Sequence, residues 1–191
     1  RRISGVQELD RWSEGKMLPS ATAFGRIIRF LSKIYDPKKG VLGVNVGAGS
    51  TIIAAGFSGK LSLGVYPEYS LGLQLKELLT HTSLESISRW LHEDVTRDYL
   101  QDYLHTKALY PASIPATNED LDIEQALARQ AMRLSINRLA AEFLPHARRS
   151  GQKLLPSFEP ILASGSVLTC APSKGHSLIM LLDGIQPVGI T

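Results

Sequence analysis

Residues 41–51 read VLGVNVGAGST, a short apolar run that ends in two glycines and two hydroxyl side chains. The nearly all-apolar first part, residues 41–46, is typical of a strand buried in the middle of a sheet. Glycine lets the chain turn tightly and bring backbone N–H groups close to an anion, and Ser50 and Thr51 add hydroxyl donors. The stretch therefore predicts a central strand followed by a loop shaped for phosphate.

The elements on both sides of this stretch follow clear periodicities. Apolar residues recur at intervals of three and four between Ser20 and Ile34, which predicts an amphipathic helix capped by Ser20. Two further strands, 52–57 and 61–65, are joined by a glycine-containing link of hairpin length. A helix followed by a three-stranded meander is therefore expected.

The second half of the chain is predicted to be mostly helical. A helical insertion occupies residues 71–116, and a long helix follows over about 120–144. This helix carries apolar residues on two opposite sides, so it should lie between two layers. A short strand at 161–163, a turn and a helix over 177–182 come next, and residues 187–191 are expected to begin another strand. The order predicts an α/β core.

A second small-residue turn lies more than a hundred residues after the first loop. Residues 163–169 read ASGSVLT and stand between a predicted strand and a predicted helix, a position where helix N-termini bind anions. The first loop is neither a Walker A motif nor a dinucleotide fingerprint, because no Lys follows its second glycine and it leads into a strand. Two readings stay open for that loop, a phosphate site shared with the second turn and a glycine-rich hairpin without ligand.

Composition and charge narrow the classes of protein. Hydrophobic residues make up 43% of the 191, and no apolar run approaches the ~18 residues of a membrane-spanning helix, so we expect a soluble protein without a membrane partner. Basic residues number 21 against 18 acidic ones and are scattered, which argues against a nucleic-acid partner. Cys170 is the single cysteine, so no internal disulfide can form, and a reducing cytoplasm is expected.

The pairing of a strand–hairpin loop with a later small-residue turn resembles the phosphate sites of actin, sugar kinases and Hsp70. The tail, which contains ILASGSVLTCAPS at 161–173 and LLDGIQPVGIT at 181–191, is similar to the MutL/GlmL family encoded beside coenzyme B12-dependent glutamate mutase. The resemblance implies an α/β, actin-like (ribonuclease H-like) ATPase lobe with a central mixed sheet, flanking helices and the helical insertion. We expect residues 1–191 to be one such lobe from a longer protein.

The resemblance also implies a ligand and a partner. The ligand would be ATP with Mg²⁺, and the partner a subunit of a B12-dependent mutase that the protein reactivates or assists as a chaperone. The phosphate would contact eight residues of the two turns: Asn45, Gly47, Ala48, Gly49, Ser50, Thr51, Gly165 and Ser166.

Two departures from the family pattern bear on activity. Asn45 stands where the family has the Asp that holds Mg²⁺, and an amide carries no charge for the cation, so only weak Mg²⁺ binding is expected there. Ser166 replaces a typical second glycine. We therefore expect at most weak ATP hydrolysis, and the alternative is a nucleotide-free scaffolding protein that retains the fold. Asp183 is expected on a helix in a surface or capping role.

Other reactive residues favour structural roles. The five histidines are widely spaced, without the HxxxH or HExxH pattern of a metal site. Cys170 is expected to be an apolar filler, with a nucleophile as the alternative. Trp90, Tyr99 and Tyr103 are expected to pack the insertion against the sheet, with a partner surface as the second interpretation.

Overall fold

The computed structural model describes residues 6–14, 16–36, 38–143 and 158–186. Its strands form one four-stranded mixed sheet in the order β3-β2-β1-β4. The three strands of the meander are antiparallel, and β4 pairs in parallel with β1. The bounds are β1 Gly40–Val46, β2 Thr51–Phe57, β3 Lys60–Tyr66 and β4 Phe158–Ser164. The predicted meander and the later strand are confirmed.

Helices cover both faces of this sheet. In chain order, the helices of the described residues are α1 Val6–Trp12, α2 Ser20–Ile34, α3 Leu75–Thr80, α4 Leu84–Ser88, α5 Arg97–Leu109, α6 Asn118–Phe143, α7 Ser166–Thr169 and α8 Lys174–Ile185. The predicted α/β class, with a mixed sheet flanked by helices, is therefore confirmed. Within the described ranges, no helix has both the length and the apolar character needed to cross a membrane.

Helix α2 covers one face of the sheet. Its Ile28 is fully buried with Val41 and Ala54, and Gly43 makes room for it, since a Cβ on Gly43 would lie 2.6 Å from Ile28 Cδ1. The predicted cap is wrong, because Pro19 is the N-cap residue and makes no side-chain hydrogen bond, while Ser20 is already helical.

Helix α6 lies against the other face of the sheet and also contacts α8. Leu127 and Met132, which belong to the two predicted apolar sides, are both fully buried. The predicted position between two layers is confirmed. Leu144 and the strand predicted at 187–191 lie outside the described residues.

The insertion is divided into α3, α4 and α5. Trp90 and Tyr103 pack against the core that the sheet shares with α6, as predicted, whereas Tyr99 is exposed. The hydroxyl groups of Tyr99 and Tyr103 donate to Asp120 and Glu124 on α6, because phenol groups pack where acceptors are within reach. Trp90 is flanked by guanidinium groups, with Arg89 Cζ 4.4 Å and Arg129 Cζ 5.6 Å from its ring centroid. The insertion is thus fastened to α6.

Candidate functional site

The parallel pairing of β1 with β4 brings the two predicted turns together. Asn45 is the register partner of Ser164, and Asn45 Nδ2 donates a hydrogen bond to Ser164 Oγ at 3.2 Å. Parallel strands end at the same edge of a sheet, so the residues that follow them meet there. The loop after β1 and the turn after β4 are consequently neighbours.

Gly165 makes the contact between the turns possible. Its φ is +99°, and a Cβ at this position would lie 2.0 Å from the carbonyl oxygen of Val46. Any other residue would have to adopt a strained backbone conformation, and its side chain would also clash with this carbonyl oxygen. Only glycine fits where the chain leaves β4 and starts α7.

The loop after β1 is fixed by its own backbone and by the segment after β3. The amide of Gly47 donates to the carbonyl of Ser50 at 3.1 Å, and its carbonyl accepts from the amide of Leu71 at 3.1 Å. The carbonyl of Ala48 accepts from the amide of Leu73 at 2.8 Å. Among the described residues, no hydrogen bond uses the amides of Ala48, Gly49 and Ser50, so these three N–H groups are open to an anion.

Thr51 differs from the rest of the predicted set. It is fully buried at the start of β2, and its hydroxyl donates to the carbonyl of Tyr69 at 2.7 Å. The hydroxyl hydrogen of Thr51 is therefore used inside the protein. The side chain joins the sheet to the 3-10 turn Pro67–Tyr69.

A pocket of about 320 Å³ opens beside the two turns. Gly47, Ala48 and Ser166 of the predicted set line it, together with apolar residues of the insertion and of α7. The other five, Asn45, Gly49, Ser50, Thr51 and Gly165, do not. Asn45 lies on the opposite face of the sheet, because side chains alternate along a strand and Val44 and Val46 face the core beneath α6.

The pocket also holds a charged cluster that was not anticipated. Lys107 Nζ lies 2.7 Å from Glu124 Oε1, and the two side chains are only 7% and 9% exposed. The ammonium group also donates to the carbonyl of Ser113, and Tyr103 Oη donates to Glu124 Oε1 at 2.8 Å. Burial, and next the charge of Glu124, raises the pKa of Tyr103 above its usual range. The phenol is therefore a hydrogen-bond donor across the neutral pH range.

A sequence signal for this cluster existed. Leu100, Leu104 and Lys107 follow the spacing of one helical side, and the two leucines are buried. A lysine at the third position of a buried stripe needs a partner, because an unpaired buried charge is very costly. What the spacing does not give is the identity of that partner, which lies 17 residues further on.

The donor set for a divalent cation is poor. In the part of the chain that the structure describes, no three His, Cys, Asp or Glu side chains gather into a possible metal site. Asn45 offers one amide oxygen, and its neighbour Ser164 offers a hydroxyl group. Asp183, expected in a surface or capping role, instead pairs with Arg129 Nε at 2.9 Å. The residues present suit an anion better than Mg²⁺.

Fold and site together define a mixed α/β domain in which two small-residue turns meet beside a pocket at the ends of parallel strands. The family model described as MutL protein matches residues 2–189. This chain belongs to the MutL protein family, as the tail sequence predicted. No curated protein is significantly similar to it.

Proposed function

We propose that this MutL-family chain is an actin-like domain that binds the phosphate groups of ATP or ADP where its two small-residue turns meet. The observation that carries the proposal is that Gly47, Ala48 and Ser166 line one pocket. The open amides of the first loop supply donors, and backbone N–H groups in such a loop form a concave anion site. Lys107 lies at the wall of the same pocket, where Glu124 pairs with it and offsets its charge, so the backbone amides are the main donors to an anion.

The role of this binding would be regulatory. A nucleotide bound at the strand ends would regulate how this chain assists or reactivates a B12-dependent mutase. Hydrolysis of the nucleotide would be weak at most. The absence of a carboxylate at Asn45 supports slow turnover, because nothing there neutralises a cation or orients the attacking water.

A second candidate function is a nucleotide-free scaffold that keeps the fold. It is favoured by the amide of Asn45, which is used in the contact with Ser164, and by the internal hydrogen bond of Thr51. In that case the two turns stabilise the sheet edge and the pocket holds no nucleotide.

Thermal unfolding with Mg-ATP, Mg-ADP and no nucleotide separates the two functions. A ligand at a hundred times its Kd raises the free energy of unfolding by ~2.7 kcal/mol, so the proposal predicts a clear rise in Tm. Ser166→Glu should abolish the rise, because it adds a negative charge at an exposed position of the pocket. Gln101→Glu adds the same charge at an exposed position of α5 and should leave the rise intact.

The measurement belongs on the complete protein, because in related folds another lobe holds the adenosine. No change in Tm there with either nucleotide would rule out the nucleotide-binding proposal and favour the scaffold.

Asn45→Asp tests the cation. A carboxylate can accept a hydrogen bond from the Ser164 hydroxyl and attract Mg²⁺ with a full charge. Because Asn45 and the pocket lie on opposite faces of the sheet, calorimetry should show the same ATP affinity as in the unchanged protein, with Mg²⁺ and without it. Tighter, Mg²⁺-dependent binding in the variant would mean that the phosphate groups lie at Asn45 and not in the pocket.

A further inference from the structure

A polar groove, separate from the pocket beside the two turns, lies between α4 and the C-terminal half of α6. Arg89 and Arg133 line it, and the other lining side chains are mostly hydroxyl and amide groups, with Leu134 as the apolar exception. No Asp or Glu belongs to the lining of this groove. The groove is therefore rich in hydrogen-bond donors and carries an excess of positive charge.

Arg133 has no acceptor within the described chain. It is half-buried on α6, and no hydrogen bond or ion pair involves its guanidinium group there. Arg129, one turn earlier on the same helix, pairs with Asp183 at 2.9 Å. Since guanidinium groups form strong, often bidentate bonds with oxyanions, the donors of Arg133 remain available to a ligand.

The second guanidinium group is held in place by an aromatic ring. Arg89 Cζ lies 4.4 Å from the centroid of the Trp90 ring. A cation over an aromatic face is attracted to it, and the edge of the guanidinium plane stays free for hydrogen bonds. Arg89 is therefore positioned before any ligand arrives, which lowers the entropic cost of binding.

The floor of the groove is fixed by its own hydrogen bonds. Gln130 Nε2 donates to the carbonyl of Ser86 at 2.6 Å, and Thr82 Oγ1 donates to Gln130 Oε1 at 3.4 Å. Ser83 Oγ and Ser86 Oγ lie 3.1 Å apart. These bonds join α4 to α6, so the two arginines are carried by connected elements.

We propose that this groove binds the phosphate group of a polar phosphorylated small molecule. Two guanidinium groups neutralise a phosphate dianion, and the hydroxyl groups around them donate to its remaining oxygens. The groove has room for more than a phosphate, about 460 Å³, and its polar lining favours a hydroxylated ligand over an apolar one.

The groove is a different site from the pocket beside the two turns. The two share no lining residue. Glu124 and Arg133 are nine residues apart on α6, which corresponds to about 13 Å along the helix axis. Neither site needs the other, so this inference is independent of the proposed nucleotide function.

Fluorescence of Trp90 gives a local signal for the test. The chain has two tryptophans, and Trp12 lies exposed on α1, so Trp12→Phe leaves Trp90 as its single tryptophan. Ribose 5-phosphate is titrated into this variant, with ribose and inorganic phosphate in parallel. We expect a saturable change with ribose 5-phosphate, a weaker one with inorganic phosphate and none with ribose.

Substitutions then locate the anion. Arg133→Gln and Arg89→Gln should each weaken binding of ribose 5-phosphate by about tenfold, because each removes a charge-assisted hydrogen-bond donor. Arg133→Lys should weaken it less, since it keeps the charge but loses the planar fork. Arg26→Gln removes one charge from α2, on the other face of the sheet, and should have no effect.

Three results would overturn the proposal. They are no saturable Trp90 signal with ribose 5-phosphate, equal weakening by Arg26→Gln, and binding of inorganic phosphate as tight as that of the sugar phosphate. Far-UV circular dichroism and Tm of each variant show whether a loss of binding reflects loss of the fold.

Discussion

Two charged side chains of α6, Glu124 and Arg133, lie in opposite environments. In the N-terminal half, Glu124 is buried and is paired with Lys107 and Tyr103. In the C-terminal half, Arg133 is half-buried and is unpaired within the described chain. A buried charge must be matched inside the protein, whereas a charge in an open groove can remain unmatched because water solvates it. Breaking the pair of Glu124 is therefore expected to cost stability, whereas Arg133 is expected to remain available for binding.

The largest expected effect on stability comes from removing the cation of the buried pair Lys107–Glu124. Lys107→Met leaves the Glu124 carboxylate buried with only the Tyr103 hydroxyl, and breaking such a pair costs about 3–5 kcal/mol of unfolding free energy. Urea denaturation measures the loss. The exposed Lys76 on α3 serves as a control, since Lys76→Met should stay within about 0.5 kcal/mol.

A double substitution sharpens this test. Lys107→Met combined with Glu124→Gln removes both charges, so the double variant should be more stable than Lys107→Met alone. Lys107→Met could instead cost no more unfolding free energy than Lys76→Met. The buried charge of Glu124 would then not need a partner, and the contrast between Glu124 and Arg133 would be wrong.

The next largest effect on stability is expected at Gly165, in the turn after β4. Gly165→Ala requires an L-residue at φ +99° with a Cβ 2.0 Å from the carbonyl oxygen of Val46. The conformation alone costs about 1–3 kcal/mol, and the clash adds to it. Gly175→Ala is the matched control, because Gly175 lies in α8 without such contacts and Ala favours a helix by about 0.5–1 kcal/mol. Equal effects of the two substitutions on Tm would show that the turns are not in contact at this edge.

Much of this architecture follows from local sequence patterns. The apolar run at 41–46, the hairpin link and the two-sided apolar pattern of the long helix predict β1, the meander and the place of α6. These signals are local, because strand and helix periods are read within a few residues. A shared site of the two turns that contain Gly47 and Gly165 is one of the two interpretations that the sequence leaves open, and the parallel pairing of β1 with β4 brings these turns together.

The rest depended on contacts between distant elements. Lys107 and Glu124 lie on different helices, and neither helix pattern shows which residues will face each other. The sequence predicts that Tyr99 and Tyr103 pack the insertion against the sheet, and Tyr103 does lie against the core there. Their hydroxyl groups also contact acidic residues of α6, and only the packing of α5 on α6 reveals those acceptors.

A smaller effect on stability is expected at Tyr103, whose hydroxyl group donates to Glu124. Tyr103→Phe removes one hydrogen bond to a carboxylate, worth about 1.5–3 kcal/mol when fully buried and less at this partly exposed site. The folded state raises the pKa of Tyr103 above the unfolded value of about 10, so it holds the proton more tightly. This contribution is complete below about pH 10 and is lost as the pH rises further.

Urea denaturation of both proteins from pH 8 to 11 checks the sign. The difference in unfolding free energy between the unchanged protein and Tyr103→Phe should shrink toward high pH. A difference that grows with pH would mean that the phenol is not the donor to Glu124.

The smallest expected effect is at Arg133, and it decides whether this guanidinium group is unpaired within the described chain. Arg133→Gln should change the unfolding free energy by less than about 0.5 kcal/mol, because no internal acceptor loses a partner. Arg129→Gln, one turn away, should cost about 1–3 kcal/mol, since Asp183 then lacks its cation in a partly buried setting. Both values come from urea denaturation in the same buffer without phosphate or sulfate. A cost at Arg133 as large as that at Arg129 would mean that its guanidinium group already has an internal partner, and the groove would then offer no free arginine to an anion.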